Sequence, residues 1–268
     1  MQSGPLRDGL CACYNLNAAN HLGEYAYTSN SAPVLVDNAL RSGDLYLACG
    51  VVSFAAPALF AHRGLADGGA LFAQAKLRYQ PQSAYQWADY LMLVAELNLA
   101  LYEGQPARGV ALAAQQWPAL GRSQLMRMQL AGAMMNYYRA GCALAAARQH
   151  SSDAAQGLSL AQSTVGILNK TRVAHAPAWG AVLEAGLACA QRKPGRAAER
   201  LQAAITLFDA IGMQMFAAAA RRRLGQLSGD DAGRAIQAAG EAAMRAQGVI
   251  DLEATTEMLV PGCQPASG

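Results

Sequence analysis

Turn signals return along this chain at near-regular intervals, each between two stretches of helical periodicity, and few folds accommodate such a pattern. Gly43-Asp44, Gly64 to Gly69, Gly104-Gln105-Pro106, His150 to Asp153, Lys193-Pro194-Gly195 and Gly229-Asp230-Asp231 are the breaks. Loop starts at 64, 104, 150, 193 and 229 lie 40, 46, 43 and 36 residues apart. Paired-helix repeats span ~34 to ~47 residues. The spacing therefore predicts an all-α fold of stacked antiparallel helical hairpins over residues 14–248, flanked by an N-terminal segment 1–13 of undefined structure and a C-terminal tail 249–268.

Helix periodicity supports the same reading. Helices are expected near 177–192, 195–211, 213–228 and 231–247. Ala198, Leu201, Ile205 and Phe208 share one face, as do Phe216, Ala220, Leu224 and Leu227. Neither helix can hide its stripe alone, so neighbouring hairpins must pack together, with small alanines allowing close approach. From Ser83 to Glu103, Trp87, Leu91, Val94 and Leu101 mark one apolar face and Leu93, Leu97 and Ala100 another, which predicts a sandwiched helix. Trp117-Pro118 is expected to end the next helix, and Ser123 to Gln149 to form a long one capped by Ser123. Tyr14–Tyr27 and Ser31–Ser42 are read as an earlier hairpin.

Composition limits the function classes. Of 268 residues 53% are hydrophobic and 15% charged, and 21 Lys and Arg against 18 Asp and Glu leave a net charge of +3, too small a bias to steer nucleic acid. Cys11, Cys13, Cys49, Cys142, Cys189 and Cys263 contain no Cys-x-x-Cys pair, which fits reduced thiols and a cytoplasmic location. Met1 to Thr28 lacks the continuous apolar run of a secretion signal. Leu45 to Ala61 is uncharged over 17 residues, a little short of the ~20 that cross a bilayer. A helix buried between neighbours is the expectation there, and membrane association the lesser alternative.

Each pattern that would carry chemistry lacks an essential residue. Gly104-Gln105-Pro106-Ala107-Arg108-Gly109 has phosphate-loop spacing but continues Val110-Ala111 where Lys and Ser or Thr are required. His62-Arg63 is followed by Gly64 in place of a catalytic Asp, with Gly69 at the Asn position. Gly121-Arg122-Ser123-Gln124-Leu125 lacks the second glycine of a nucleophile elbow. Cys11, Cys13 and His21 are a close group of metal-ligand types, short of the four a structural zinc needs. His62, His150 and His175 are dispersed. Arg221-Arg222-Arg223 fans over more than half of a helix circumference and reads as a solvated face, with contact to an acidic partner or another domain as the alternative. Met126 to Met135 and Met213 to Met215 read as core filler. No catalytic, cofactor-binding or metal residue is assigned.

Several stretches are more specific: Gly43-Asp44-Leu45-Tyr46, Leu101-Tyr102-Glu103-Gly104, Trp117-Pro118-Ala119-Leu120 with Ser123, Leu125 and Gln129, and Arg139-Ala140 before Ala143-Leu144-Ala145. Ala219 to Gly225 then runs into Gly229-Asp230, Gly233-Arg234-Ala235, Met244, Gln247-Gly248-Val249, Met258-Leu259 and Pro261-Gly262. In these, from Leu16 to Gly262, the chain resembles the C-terminal tetratricopeptide-like region of large bacterial proteins that join a serine/threonine protein kinase domain to an AAA-type ATPase domain and then to helical repeats. Leu252 departs from the family pattern, which has proline after Gly-Val. The resemblance implies a superhelical solenoid whose kinase and nucleotide chemistry, with ATP and Mg²⁺, belongs to domains N-terminal to it. Met1 would then open inside a longer protein or a remnant of one. The expected function is a non-catalytic protein-interaction or regulatory module in signal transduction, acting along a concave helical surface on a protein partner or on attached kinase and ATPase domains, without nucleic acid or membrane. A stand-alone helical-repeat scaffold is the alternative.

Overall fold

The computed structural model describes residues 5–80, 84–149 and 154–263, and every regular element among them is helical. The chain runs α1 (Pro5–Leu22), α2 (Tyr25–Ser42), α3 (Leu45–Gly64), a π-helical turn Leu65–Gly69, α4 (Ala70–Arg78), α5 (Trp87–Tyr102) and α6 (Pro106–Arg122). After a 3-10 turn at Leu125–Arg127 come α7 (Gln129–Arg148), α8 (Ala154–Leu168), α9 (His175–Ala190), α10 (Pro194–Ala210), α11 (Gln214–Ser228), α12 (Asp231–Ala246) and α13 (Leu252–Leu259). The fold is all-α. Its last four long helices fall within two residues of their predicted bounds, and the turn read at His150 to Asp153 lies outside the described residues, as does Ser83.

Local chemistry explains the punctuation. Gly43 and Gly229 take left-handed conformations at φ 77° and 69° and close α2 and α11, a region a side chain would disfavour. The aspartate that follows each glycine starts the next helix: Asp44 accepts from the Leu47 N–H at 2.9 Å and Asp230 from the Gly233 N–H at 2.7 Å. Pro106 and Pro194 occupy first-turn positions, where a missing N–H costs nothing.

Helices α3, α5, α7, α9 and α11 form an inner row, buried over most of their length, and α2, α6, α8, α10 and α12 lie outside it with one face exposed. Aromatic contacts run along the row: Tyr137 of α7 stacks on Trp179 of α9 at 5.4 Å and meets Phe216 of α11 at 6.5 Å. Every residue from Ala48 to Ala61 of α3 is buried, between α1, α2 and α5. By length and composition Leu45–Arg78 could cross a membrane, at mean hydropathy 1.6, yet 72% of that window is buried inside the protein. The tightest pair is α11 on α12. A Cβ at Gly240 would stand 2.5 Å from the Ala218 carbonyl oxygen and one at Gly225 2.4 Å from that of Gly233, so glycine sets the spacing as well as alanine.

Four local expectations are corrected. The first hairpin turns at Gly23-Glu24, with Gly23 at φ 87°, and Ser29-Asn30-Ser31 lies inside α2. The reason is tertiary: the Arg63 guanidinium donates to the Ser29 carbonyl at 3.1 Å and to Ser29 Oγ at 3.0 Å, holding a polar triplet in helix. Helix α6 runs through Pro118 to Arg122, because Pro118 and Ala114 are both on the solvent side, where the Ala114 carbonyl left without an N–H partner can be hydrated. Ser123 does not cap α7. Its Oγ donates to the Leu120 carbonyl at 2.7 Å and accepts from the Leu125 N–H at 3.3 Å, so it links α6 to the 3-10 turn. Residues 249–263 are no loose tail: α13 packs against α3, α5 and α11.

Candidate functional site

The inward face of the row, where a partner was expected, is covered by the two ends of the same chain. Helix α1 lies on α3 and α11 and so spans both ends of the row. Asn17, Asn20 and His21 of α1 face Ser53, Phe54, Leu91, Asn98, Trp179 and Phe216 across a cavity of about 30 Å³, room for a single water molecule. Asn20 Oδ1, Asn98 Oδ1 and Trp179 Nε1 are buried there without a protein partner. The His21 Nδ1–H donates to the Asn17 carbonyl at 2.8 Å, and the His21 ring meets that of His175 edge-on at 5.4 Å.

Burial lowers the pKa of His21 below its ordinary 6.5, against the opposing hydrogen bond to Asn17, and burial together with the neighbouring His21 lowers that of His175. Well above 6.5 both rings are neutral in the folded and unfolded chain. As pH falls through that value the unfolded chain takes up protons first, so stability drops. Chemical-denaturation midpoints measured on both sides of 6.5 should decline on the acid side, and a His21→Gln/His175→Gln chain should show a shallower decline.

The C-terminal end closes the other side. The Ile250 N–H donates to the Ala61 carbonyl at 2.9 Å and the Tyr137 hydroxyl to the Leu259 carbonyl at 2.6 Å. Arg222 pairs with Glu241 at 3.3 Å and Glu253 at 2.5 Å, while Arg223, with no side-chain exposure, pairs with Glu253 at 2.7 Å and Glu257 at 2.8 Å. Burial would raise the Glu253 carboxyl, but Arg223 and Arg222 outweigh it and hold its pKa below the usual carboxylate range. Arg221 pairs with Asp209 at 2.5 Å. The arginine run is thus neither a solvated face nor a free acidic-partner site: it ties α13 to α11 and α12. Cys189 and Cys263, both free thiols, place their Sγ atoms 2.7 Å apart beside this clasp. The Cys263 thiol bonded to Cys189 lowers the Cys189 pKa against burial, and the Cys263 pKa is raised.

The other residues singled out by the sequence have structural surroundings. Of Gly104 to Gly109, only Gly104-Gln105 lies between α5 and α6 and the rest is the first turn of α6; a Cβ at Gly109 would stand 2.6 Å from Cys142 Sγ, so that glycine admits α7. His62 lies against Gly248. Helix α1 carries Cys11 exposed, Cys13 buried with its thiol pushed up to about 11, and His21 more than two turns beyond either, so the three do not converge. Burial also pushes the Cys142 thiol up to about 12, which keeps it protonated and unreactive. Met135, Met213 and Met215 are core, but Met128 is 52% exposed and Met126 lines a surface depression.

A wide opening faces outward. Helices α6 and α8 both pack on α7 and leave its outer face open between them, a groove of about 610 Å³ lined by Val110, Ala111, Arg139, Ala143, Ala146 and Leu160 among others. Gly157 brings α8 down onto α7, since a Cβ there would stand 2.8 Å from the Ala143 carbonyl oxygen. The Arg139 guanidinium lies 3.7 Å over the Trp117 ring, and burial lowers its pKa. Periodicity did not reveal this groove, because it arises from the separation of two helices and not from either one.

The fold and this surface define an array of helical hairpins with its inner face filled by its own ends. Comparison with protein-family models, curated proteins and solved structures finds no match for this chain.

Proposed function

We propose that this chain is a non-catalytic protein-interaction or regulatory module, working in the cytoplasm as the C-terminal part of a larger signalling protein with serine/threonine kinase and AAA-type ATPase domains. The observation that supports the interaction reading is where the chemistry-bearing side chains are spent. Arg63 holds α2, Arg222 and Arg223 hold α13, Gly109 admits α7 and Ser123 links two turns. A wide groove with a guanidinium stacked on Trp117 remains on the outside. The link to kinase and ATPase domains rests on the resemblance alone. ATP and Mg²⁺ would be bound by those domains, and this chain would modulate them or select their partners.

Reading the gene upstream of Met1 in frame tests the attachment. A Gly-rich loop, a His-Arg-Asp motif and a P-loop are expected there, and deleting the repeats from the restored protein should alter regulation or partner choice more than phosphoryl transfer itself. An upstream stop codon followed by an unrelated gene would refute the attachment.

A further inference from the structure

A second depression, of about 410 Å³, neighbours the groove between α6 and α8 on the N-terminal half of α7, lined by Met126, Arg127, Asn136, Ile167, Lys170 and Arg172. Gly132, Asn136, Arg139, Ala143 and Ala146 recur every three or four residues along α7 and form one floor. That floor is about 20 Å long, roughly four helical turns. Val110 and Ile167, both large and exposed, stand on its rim.

Charge selects the occupant. Arg127, Arg139, Lys170 and Arg172 take part in none of the ion pairs among the described residues. Neither depression has a carboxylate among its lining residues, so in a chain with a net charge of only +3 these four cations are locally unbalanced. Guanidinium and ammonium groups over an apolar floor match carboxylates spaced along an apolar stripe.

Resting on the interaction reading, we propose that the trough along the outer face of α7 receives an acidic amphipathic helix of a protein partner. The face of α7 that floors it is about as long as four helical turns, and α6 and α8 rise on either side, which suits a rod-shaped guest better than the flat surface of a bilayer. The apolar stripe of the guest lies on Ala143, Ala146, Val110 and Leu160. Its carboxylates reach Arg139 at mid-length and Arg127, Lys170 and Arg172 at one end.

A displayed library of four- to five-turn amphipathic helices, with polar positions drawn from Glu, Gln and Lys, is panned against the full chain. Glu-rich helices are expected to be enriched. Their binding should weaken with salt, fall about tenfold or more with Arg139→Gln or Lys170→Gln/Arg172→Gln, and vanish with Ser159→Trp, an exposed wall position. Thermal melts confirm that these variants stay folded. Enrichment of Lys- or Gln-rich helices, or of none, overturns the proposal. Glu-rich helices that bind all variants equally overturn the trough while leaving the interaction reading in place at another surface. Vesicles of phosphatidylglycerol and phosphatidylcholine run in parallel, and retention of the chain by them that the same substitutions abolish would assign the trough to lipid headgroups and likewise overturn it.

Discussion

Arg223→Ala is expected to lower the stability of the folded chain by about 3–5 kcal/mol, the usual cost of removing one partner from a buried ion pair. The side chain is fully buried on α11 and faces two carboxylates of α13, Glu253 and Glu257. Glu257 is itself buried and accepts from the Gly262 N–H at 3.0 Å, so deleting the guanidinium strands a charge in the interior and loosens the segment that closes the array. Urea unfolding followed by far-ultraviolet circular dichroism measures the loss. A double variant, Arg223→Met/Glu257→Met, should recover much of it, because a packed apolar pair needs no compensating charge. If Arg223→Ala unfolded with the wild-type midpoint, the clasp would not hold α13.

Leu224→Asp is expected to cost several kcal/mol by a different route. Leu224 is 6% exposed and belongs to the buried stripe of α11, and the aspartate would be buried without a cation to meet it. The melting transition should shift down by many degrees, with Leu224→Met close to wild type because volume and polarity are conserved. An unchanged melt for the aspartate variant would place Leu224 outside the core.

These two neighbours show what was legible in the sequence. Leu224 announces itself through Phe216, Ala220 and Leu227 at helical spacing, information contained within one helix. Likewise Gly43-Asp44 and Gly229-Asp230 carry stop and start signals in adjacent residues, so the hairpins they bound are readable. Arg222 and Arg223 are opaque to the same method because their partners lie about thirty residues on, in a segment that local pattern assigns to a tail. One signal was available: Glu253 and Glu257 are four residues apart and so share a face of α13. The filling of the inner face by α1 and α13 depends on the closure of the whole array, and the outer trough on the gap between α6 and α8. No window of contiguous residues encodes either.

The reading of this chain as a binding module without chemistry of its own is tested most directly by assaying the purified full chain with radiolabelled ATP and a general protein substrate, with calorimetric titration of ATP in the presence of Mg²⁺. His62-Arg63-Gly64 offers no catalytic aspartate, and Gly104 to Gly109 is followed by Val110-Ala111 without a lysine for the phosphates. The expected result is neither phosphate transfer above background nor measurable heat of binding. Reproducible transfer that a substitution within this chain abolishes would contradict the account.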